Sequence, residues 1–301
     1  MPLPRNTTDL PFEDACAQVL DFLRQEVPLG HWSISRYDGE RQVHLQLRDD
    51  AYGVRAGDHR AWDTSLCARM VAGAPRIAPD VAAVAQYANA PVRQEAPIGA
   101  YVGIPLHDAD GGLFGTICGL DPNPQGRRLD QHAPVLELLG SLLTAVLRAE
   151  RSRDRTRQLT RWTLGGAAGS PLKGVVDRGA WYEFLTAADE QHRVHGDPAR
   201  VAVFQAADET AAARVAQLLR QNLREHDVVA VLGAGEVGVV LTRIPPVAGE
   251  LCVGRLQRAL ADAGLRVGVG SSAYSIADGF AAAWARAESA ARAGREQRTA
   301  A

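Results

Sequence analysis

The helical hydrophobic repeat that begins at Gln131 constrains this chain most, because it leaves no room for strands until after Trp162. Val135, Leu139, Leu142, Val146 and Ala149 follow the 4-3-4 spacing of a coiled-coil seam. The run then turns charged over residues 148–158. Unbroken from Val135 to Trp162, a helix spans about 42 Å at about 1.5 Å per residue. The seam admits two readings, a dimer contact or one amphipathic helix packed on its own domain. After it, Gly165 to Pro171 has the composition of a flexible linker. With 301 residues, two domains are expected.

Both flanking segments read as α+β. Before the long helix, residues 10–26 place Phe12, Cys16, Val19, Leu20 and Leu23 at helical spacing. Residues 31–37 and 42–47 alternate as strands around a Tyr37-Asp38-Gly39 turn, with Val43, Leu45 and Leu47 on one face. A helical piece over 65–72, a loop rich in Pro, Ala and Asp, and strands over 101–106 and 113–120 follow. After the linker the pattern is a helix (178–194), a strand (200–204), a helix (209–224), two strands (227–232, 237–242), a helix (247–263), a strand (265–270) and a helix (277–293). Its core, βαββαβ, is the ferredoxin-like plan. The expected layout is a tail over 1–9, a first domain over 10–134, a connecting helix over 135–164, a linker over 165–174, a second domain over 175–298 and a tail over 299–301.

Composition removes several classes. A net charge of −2 and a pI near 6.5 argue against a nucleic-acid coat, which needs excess cationic charge. No uninterrupted apolar run approaches the roughly 20 residues of a membrane span, and residues 1–10 lack a signal pattern. No membrane contact and a cytoplasmic location are expected. The four cysteines, Cys16, Cys67, Cys118 and Cys252, lack zinc spacing, His59 and His107 lack partners at ligand spacing, and Lys173 is the single lysine. No metal site is expected.

Ser65-Leu66-Cys67, Arg76 to Val81, Gly103-Ile104-Pro105-Leu106, the Asp110-Gly111 turn and Gly115 to Asp121, with the helix after Gln131, resemble the GAF family of sensor modules in kind and order. That resemblance implies an antiparallel sheet with flanking helices, and either a pocket for an unknown small molecule or a dimerisation role. Residues 175–298 resemble a GGDEF domain, the diguanylate cyclase module. The best match is Leu223 to Leu241, in which the signature hairpin reads Gly233-Ala234-Gly235-Glu236-Val237. Val267 to Gly270 and Arg286-Ala287-Glu288 also match.

The resemblance implies a degenerate copy. The family joins two GTP molecules with divalent ions that need carboxylate oxygens. It places one aspartate after the first strand, where this chain runs Phe204-Gln205-Ala206-Ala207, with Asp208 opening the next helix. It places a second acid at the third signature position, here Gly235. Ala234 replaces a glycine, and its methyl is expected to obstruct close approach and any positive φ. Sliding the hairpin by one residue puts Glu236 third, but reverses the faces of Val237, Val239 and Leu241, and is rejected. No catalytic residue is therefore assigned. Arg224-Glu225-His226-Asp227 stands five residues before the signature, where the family's RxxD site binds cyclic di-GMP. Arginine suits guanine O6 and N7 or phosphate. The plain alternative is a solvated helix end at Arg224 and a strand start at Asp227. Arg178, Arg193 and Arg200 are candidates for the second arginine such a site needs.

Cys67 and Cys118 invite a redox, bilin or haem reading, or are small buried residues. The expected function is a regulatory protein whose sensor is coupled to an inactive GGDEF domain that binds cyclic di-GMP or a protein partner. It is expected to pair with a second copy through the connecting helix and first domain. The alternatives are an active diguanylate cyclase and a structural dimerisation module.

Overall fold

The structure, a computed structural model, describes residues 10–165, 172 and 174–299. The expected N-terminal tail, linker residues 166–171, Lys173 and residues 300–301 lie outside the described residues. The chain forms two compact units that divide after Gln158.

The first unit opens with α1 (Phe12–Glu26), which buries Phe12, Cys16, Leu20 and Leu23 as their spacing requires. β1 (His31–Tyr37) and β2 (Arg41–Asp49) form a hairpin closed by Asp38, whose Oδ1 accepts from the Glu40 and Arg41 N–H groups at 3.0 and 2.7 Å. There follow β3 (His59–Ala61), α2 (Leu66–Val71), β4 (Ile77–Ala78), α3 (Ala85–Ala88), α4 (Val92–Glu95), β5 (Ala100–His107), β6 (Leu113–Asp121) and α5 (Ala133–Gly165). The sheet is antiparallel throughout, in the order β3-β2-β1-β6-β5-β4. β3, β4, α3 and α4 fall in regions read from sequence without regular structure. Elements this short complete no hydrophobic period.

One sequence reading changes here, and one of the two readings of the seam is seen. The alternation through β2 breaks at a bulge, where Ile34 pairs with Gln46 but Ser35 pairs with His44. Gln46 and Arg48 reach α1, at Glu13 O (3.0 Å) and Asp21 Oδ1 (2.6 Å). Gln42 and His44 instead join Ser35 in the buried interior. A single inserted residue re-aims the side chains on either side of it. Second, α5 packs on its own unit through Leu136, Leu143 and Leu147, with Gly140 so close to Ile104 that a Cβ would stand 2.4 Å from its Cγ2. Glu150 accepts from the Phe12 N–H at 2.5 Å, and Arg151 pairs with Asp108. Of the expected seam, Leu142 stays exposed, as does its neighbour Leu138. Arg128–Arg153 is, among the described residues, the one helical segment long and apolar enough by composition to cross a membrane. Its charged residues interrupt any continuous apolar run.

The second unit runs α6 (Arg178–His195), β7 (Ala199–Gln205), α7 (Glu209–Gln221), β8 (Val228–Gly233), β9 (Glu236–Thr242), α8 (Pro246–Asp262), β10 (Gly268–Ala273) and α9 (Gly279–Thr299). Its antiparallel sheet has the order β10-β7-β9-β8, the ferredoxin-like arrangement. Ala202, Phe204, Val237 and Val239 face α7 and α8, while Val201, Val203 and Val240 face α6 and α9. α7 ends at Gln221, short of the expected Arg224, because Asn222 closes it with Nδ2 donating to Leu218 O at 2.9 Å. β10 begins at Gly268 and not at Leu265. Leu265 and Val267 are buried on the α8 side before the strand, and Gly270 lies against the backbone of α9, 2.1 Å from Ala287 O for any added Cβ. The strand is poor in large residues because α9 leaves them no space.

Candidate functional site

Gln42, His44, Cys67 and Cys118 border a cavity of about 180 Å³ in the first unit. Cys67 sits in the first turn of α2, which Ser65 caps by accepting from the Ala68 N–H at 3.0 Å. Thr116 and Cys118 share one face of β6, two residues apart. Thr116 Oγ1 donates to Cys67 Sγ at 3.4 Å, and Gln42 Nε2 donates to it at 3.4 Å and to Ser35 Oγ at 3.2 Å. Ser35 Oγ lies 3.3 Å from His44 Nδ1. The Cys118 thiol is the largest influence lowering the Cys67 pKa, with Thr116 and Gln42 adding to it against burial, while the Cys118 pKa is pushed well up.

His31 and Tyr52 also line the cavity. Burial lowers the His31 pKa and brings that of His44 down to about 4. Both rings are therefore neutral at pH 7. His31 Nδ1–H donates to Asp49 Oδ1 at 2.9 Å, which in the neutral ring leaves Nε2 as an acceptor. His31 Nε2 and the Tyr52 hydroxyl are buried with no hydrogen-bond partner among the described residues. Arg60 and Glu95, paired at 3.3 Å and partly exposed, carry the cavity lining to the surface. Sequence reasoning singled out His59 and His107 and passed over His31 and His44. The β2 bulge that turns His44 inward leaves no mark in the hydrophobic pattern.

In the second unit, β8 and β9 are joined by a two-residue turn, Ala234-Gly235, with φ of 49° and 79°. Ala234 thus adopts the positive φ its methyl was expected to prevent. Tight hairpins need positive φ at both turn residues, and pairing of the flanking strands outweighs a left-handed alanine's cost of about 1–2 kcal/mol. The turn is fastened to the end of β7: Ala206 N donates to Gly235 O at 2.8 Å and Gln205 Nε2 to Ala234 O at 2.9 Å. A Cβ on Gly235 would stand 2.8 Å from Ala206 O. Val237 enters the α7–α8 core. Glu236 stands among Arg178, Glu288 and Arg292, and its pKa is raised, mainly by burial and then by Glu288. Asp208 caps α7 through Ala211 N at 2.8 Å. Mg²⁺ requires oxygen ligands. At the two positions where the resemblance expects an acid, Gln205 turns an N–H into the turn and Gly235 has no side chain, so neither supplies a carboxylate.

Arg224 and Asp227 lie together in the turn after α7, and Arg224 is not the helix end that the sequence suggested. Asp227 is 5% exposed; its Oδ2 accepts from Arg224 N and its Oδ1 from Thr242 N, each at 3.1 Å. Arg220 fastens the same turn, donating to Leu223 O, Arg224 O and Asp227 O. The Arg224 side chain is exposed. Of the candidate second arginines, Arg200 is buried against Ser271 Oγ and Glu250, Arg193 pairs with Asp189, and Arg178 lies over the Tyr182 ring.

Residues 11–147 match the GAF domain family. Solved structures similar to parts of the chain include the diguanylate cyclase SiaD in complex with its activator SiaC from Pseudomonas aeruginosa, at 19% identity and TM-score 0.39, covering 56% of this chain and 75% of that one. The FimX GGDEF domain from Pseudomonas aeruginosa matches at 16% and 0.38, covering 42% and 93%. A GAF sensor protein from Burkholderia vietnamiensis matches at 17% and 0.38, covering 48% and 88%. No curated protein matches the chain. The family match and the two strand orders give the class: a first unit that matches the GAF family over residues 11–147, followed by a second unit of ferredoxin-like plan.

Proposed function

We propose that the chain is a cytoplasmic signalling protein whose GAF domain senses a small molecule and whose GGDEF-like domain works without cyclase chemistry. The observation that carries this reading is the hairpin fastened to Gln205 and Ala206 without a carboxylate at its tip. Joining two GTP molecules requires charge neutralisation at both α-phosphates, and of the acids near the hairpin Asp208 is engaged in capping α7 while Glu236 stands among Arg178, Glu288 and Arg292. The GAF cavity supports the sensing half. Its neutral histidines and its two unpartnered buried atoms suit a small uncharged ligand with a donor for His31 Nε2 and an acceptor for the Tyr52 hydroxyl. Output runs through cyclic di-GMP at Arg224, whose guanidinium is exposed, or through a protein partner, and α5 is the element a two-state coupling would bias.

Incubation of the full chain with GTP and Mg²⁺ is expected to yield no cyclic di-GMP above trace. Sustained product formation overturns the reading in favour of an active cyclase. Calorimetric titration with cyclic di-GMP is expected to give heat with the native chain and none with Arg224→Ala. Absence of heat with the native chain removes the receptor role and leaves a protein partner or a structural dimerisation module.

A further inference from the structure

The cavity holds a feature that ligand sensing by hydrogen bonds leaves unused. Two of the four cysteines converge on it from separate elements, Cys67 from α2 and Cys118 from β6. Cys67 Sγ rests on the β6 face at Thr116, the face that also carries Cys118, and takes hydrogen bonds from Thr116 Oγ1 and Gln42 Nε2. Donors gathered on one sulfur stabilise its thiolate, the form that reacts. The other two cysteines do not line this cavity. Cys16 is buried on α1, where burial and then Glu150 raise its pKa, and Cys252, half-exposed on α8, takes a hydrogen bond from Arg255 at 3.6 Å but stands in the other unit, away from this pair.

We propose that Cys67 and Cys118 are a peroxide-oxidised dithiol pair, with Cys67 the attacking sulfur and Cys118 the resolving one. The proposal rests on the sensing reading and names a stimulus for it, a small hydroperoxide admitted past Arg60 and Glu95. The Cys67 thiolate attacks the distal peroxide oxygen; an S–O bond forms as the O–O bond breaks, and the departing alkoxide or hydroxide takes up the proton that Cys67 released. The Cys118 sulfur then attacks the Cys67 sulfenic acid. The S–S bond forms as the S–O bond breaks, and the hydroxide leaves as water with the Cys118 proton. Two thiols are oxidised by two electrons and one peroxide is reduced to an alcohol, or to water, plus a further water. A disulfide there ties α2 to β6 directly over the cavity.

The test treats the reduced full chain with one equivalent of hydrogen peroxide, blocks remaining thiols, and maps peptides without reduction. The expected product is a Cys67–Cys118 cross-linked peptide that dithiothreitol cleaves, with Cys16 and Cys252 recovered as free thiols. Cys118→Ser is expected to lose the cross-link and accumulate a sulfenic acid at Cys67 that dimedone traps. Cys67→Ser is expected to lose both. Oxidation of Cys252 while Cys67 and Cys118 stay free overturns the proposal. The readout on the native chain needs neither GTP nor cyclic di-GMP, so its failure is separate from failure of the second-domain reading. An uncharged ligand bound by a chain with unreactive thiols would leave the sensing half standing alone.

Discussion

Asp227 shows how one side chain can carry two meanings. As part of Arg224-Glu225-His226-Asp227 it resembles a nucleotide-binding acid, yet both its oxygens already hold backbone N–H groups, from Arg224 and Thr242. Removing the carboxylate leaves those amides without acceptors in a buried turn. Asp227→Ala is therefore expected to destabilise the second unit by about 1–3 kcal/mol in denaturant titration. Arg224→Ala removes only an exposed chain and is expected to change stability by less than about 0.5 kcal/mol. Equal losses from the two substitutions would contradict this account of the turn. The contrast also makes Arg224→Ala the cleaner probe of nucleotide binding, since its effect on fold is small.

At the scale of elements, α5 carries two apolar stripes. Leu136, Leu143 and Leu147 are buried on the sheet, whereas Leu138 and Leu142 are 56% and 53% exposed. The sheet has therefore already taken one stripe, and a second copy of the chain is the partner we propose for the other. Leu142→Glu is expected to convert a dimer to a monomer in sedimentation while leaving the monomer folded, because Leu142 is 53% exposed, and to remove the concentration dependence of the thermal transition that a dimer gives. A native chain that sediments as a monomer at all concentrations would end the proposal. β2 teaches a related point. Its sequence alternates cleanly, and only the bulge opposite Ile34 and Ser35 decides that Gln42 and His44 face the cavity while Gln46 and Arg48 face α1.

For the whole molecule, buried neutral histidines set the response to acid. Burial lowers the pKa of His31, His44 and His192 in the folded chain, that of His44 from 6.5 to about 4. Below pH 6.5 the unfolded chain binds protons that the folded chain refuses, so stability is full above that pH and is lost as pH falls toward 4. The share due to His44 is on the order of 3 kcal/mol at the acid end. Denaturation midpoints at pH 7.5 and pH 5 are expected to differ in that direction, and His44→Gln to reduce the difference. A midpoint that rises on acidification would show the sign to be wrong.

The residues alone determined the order of elements in the second unit, its βαββαβ core and which side chains stand in its hairpin. Each of those depends on local period, turn composition and residue identity, which a linear pattern carries in full. Tertiary structure alone decided which polar groups share a space. The gathering of His31, His44, Cys67 and Cys118 depends on a bulge and on contacts between α2 and β6 across about 50 residues of chain. Whether Ala234 could turn left-handed was settled in the same way, because strand pairing on either side supplies free energy that no local preference contains.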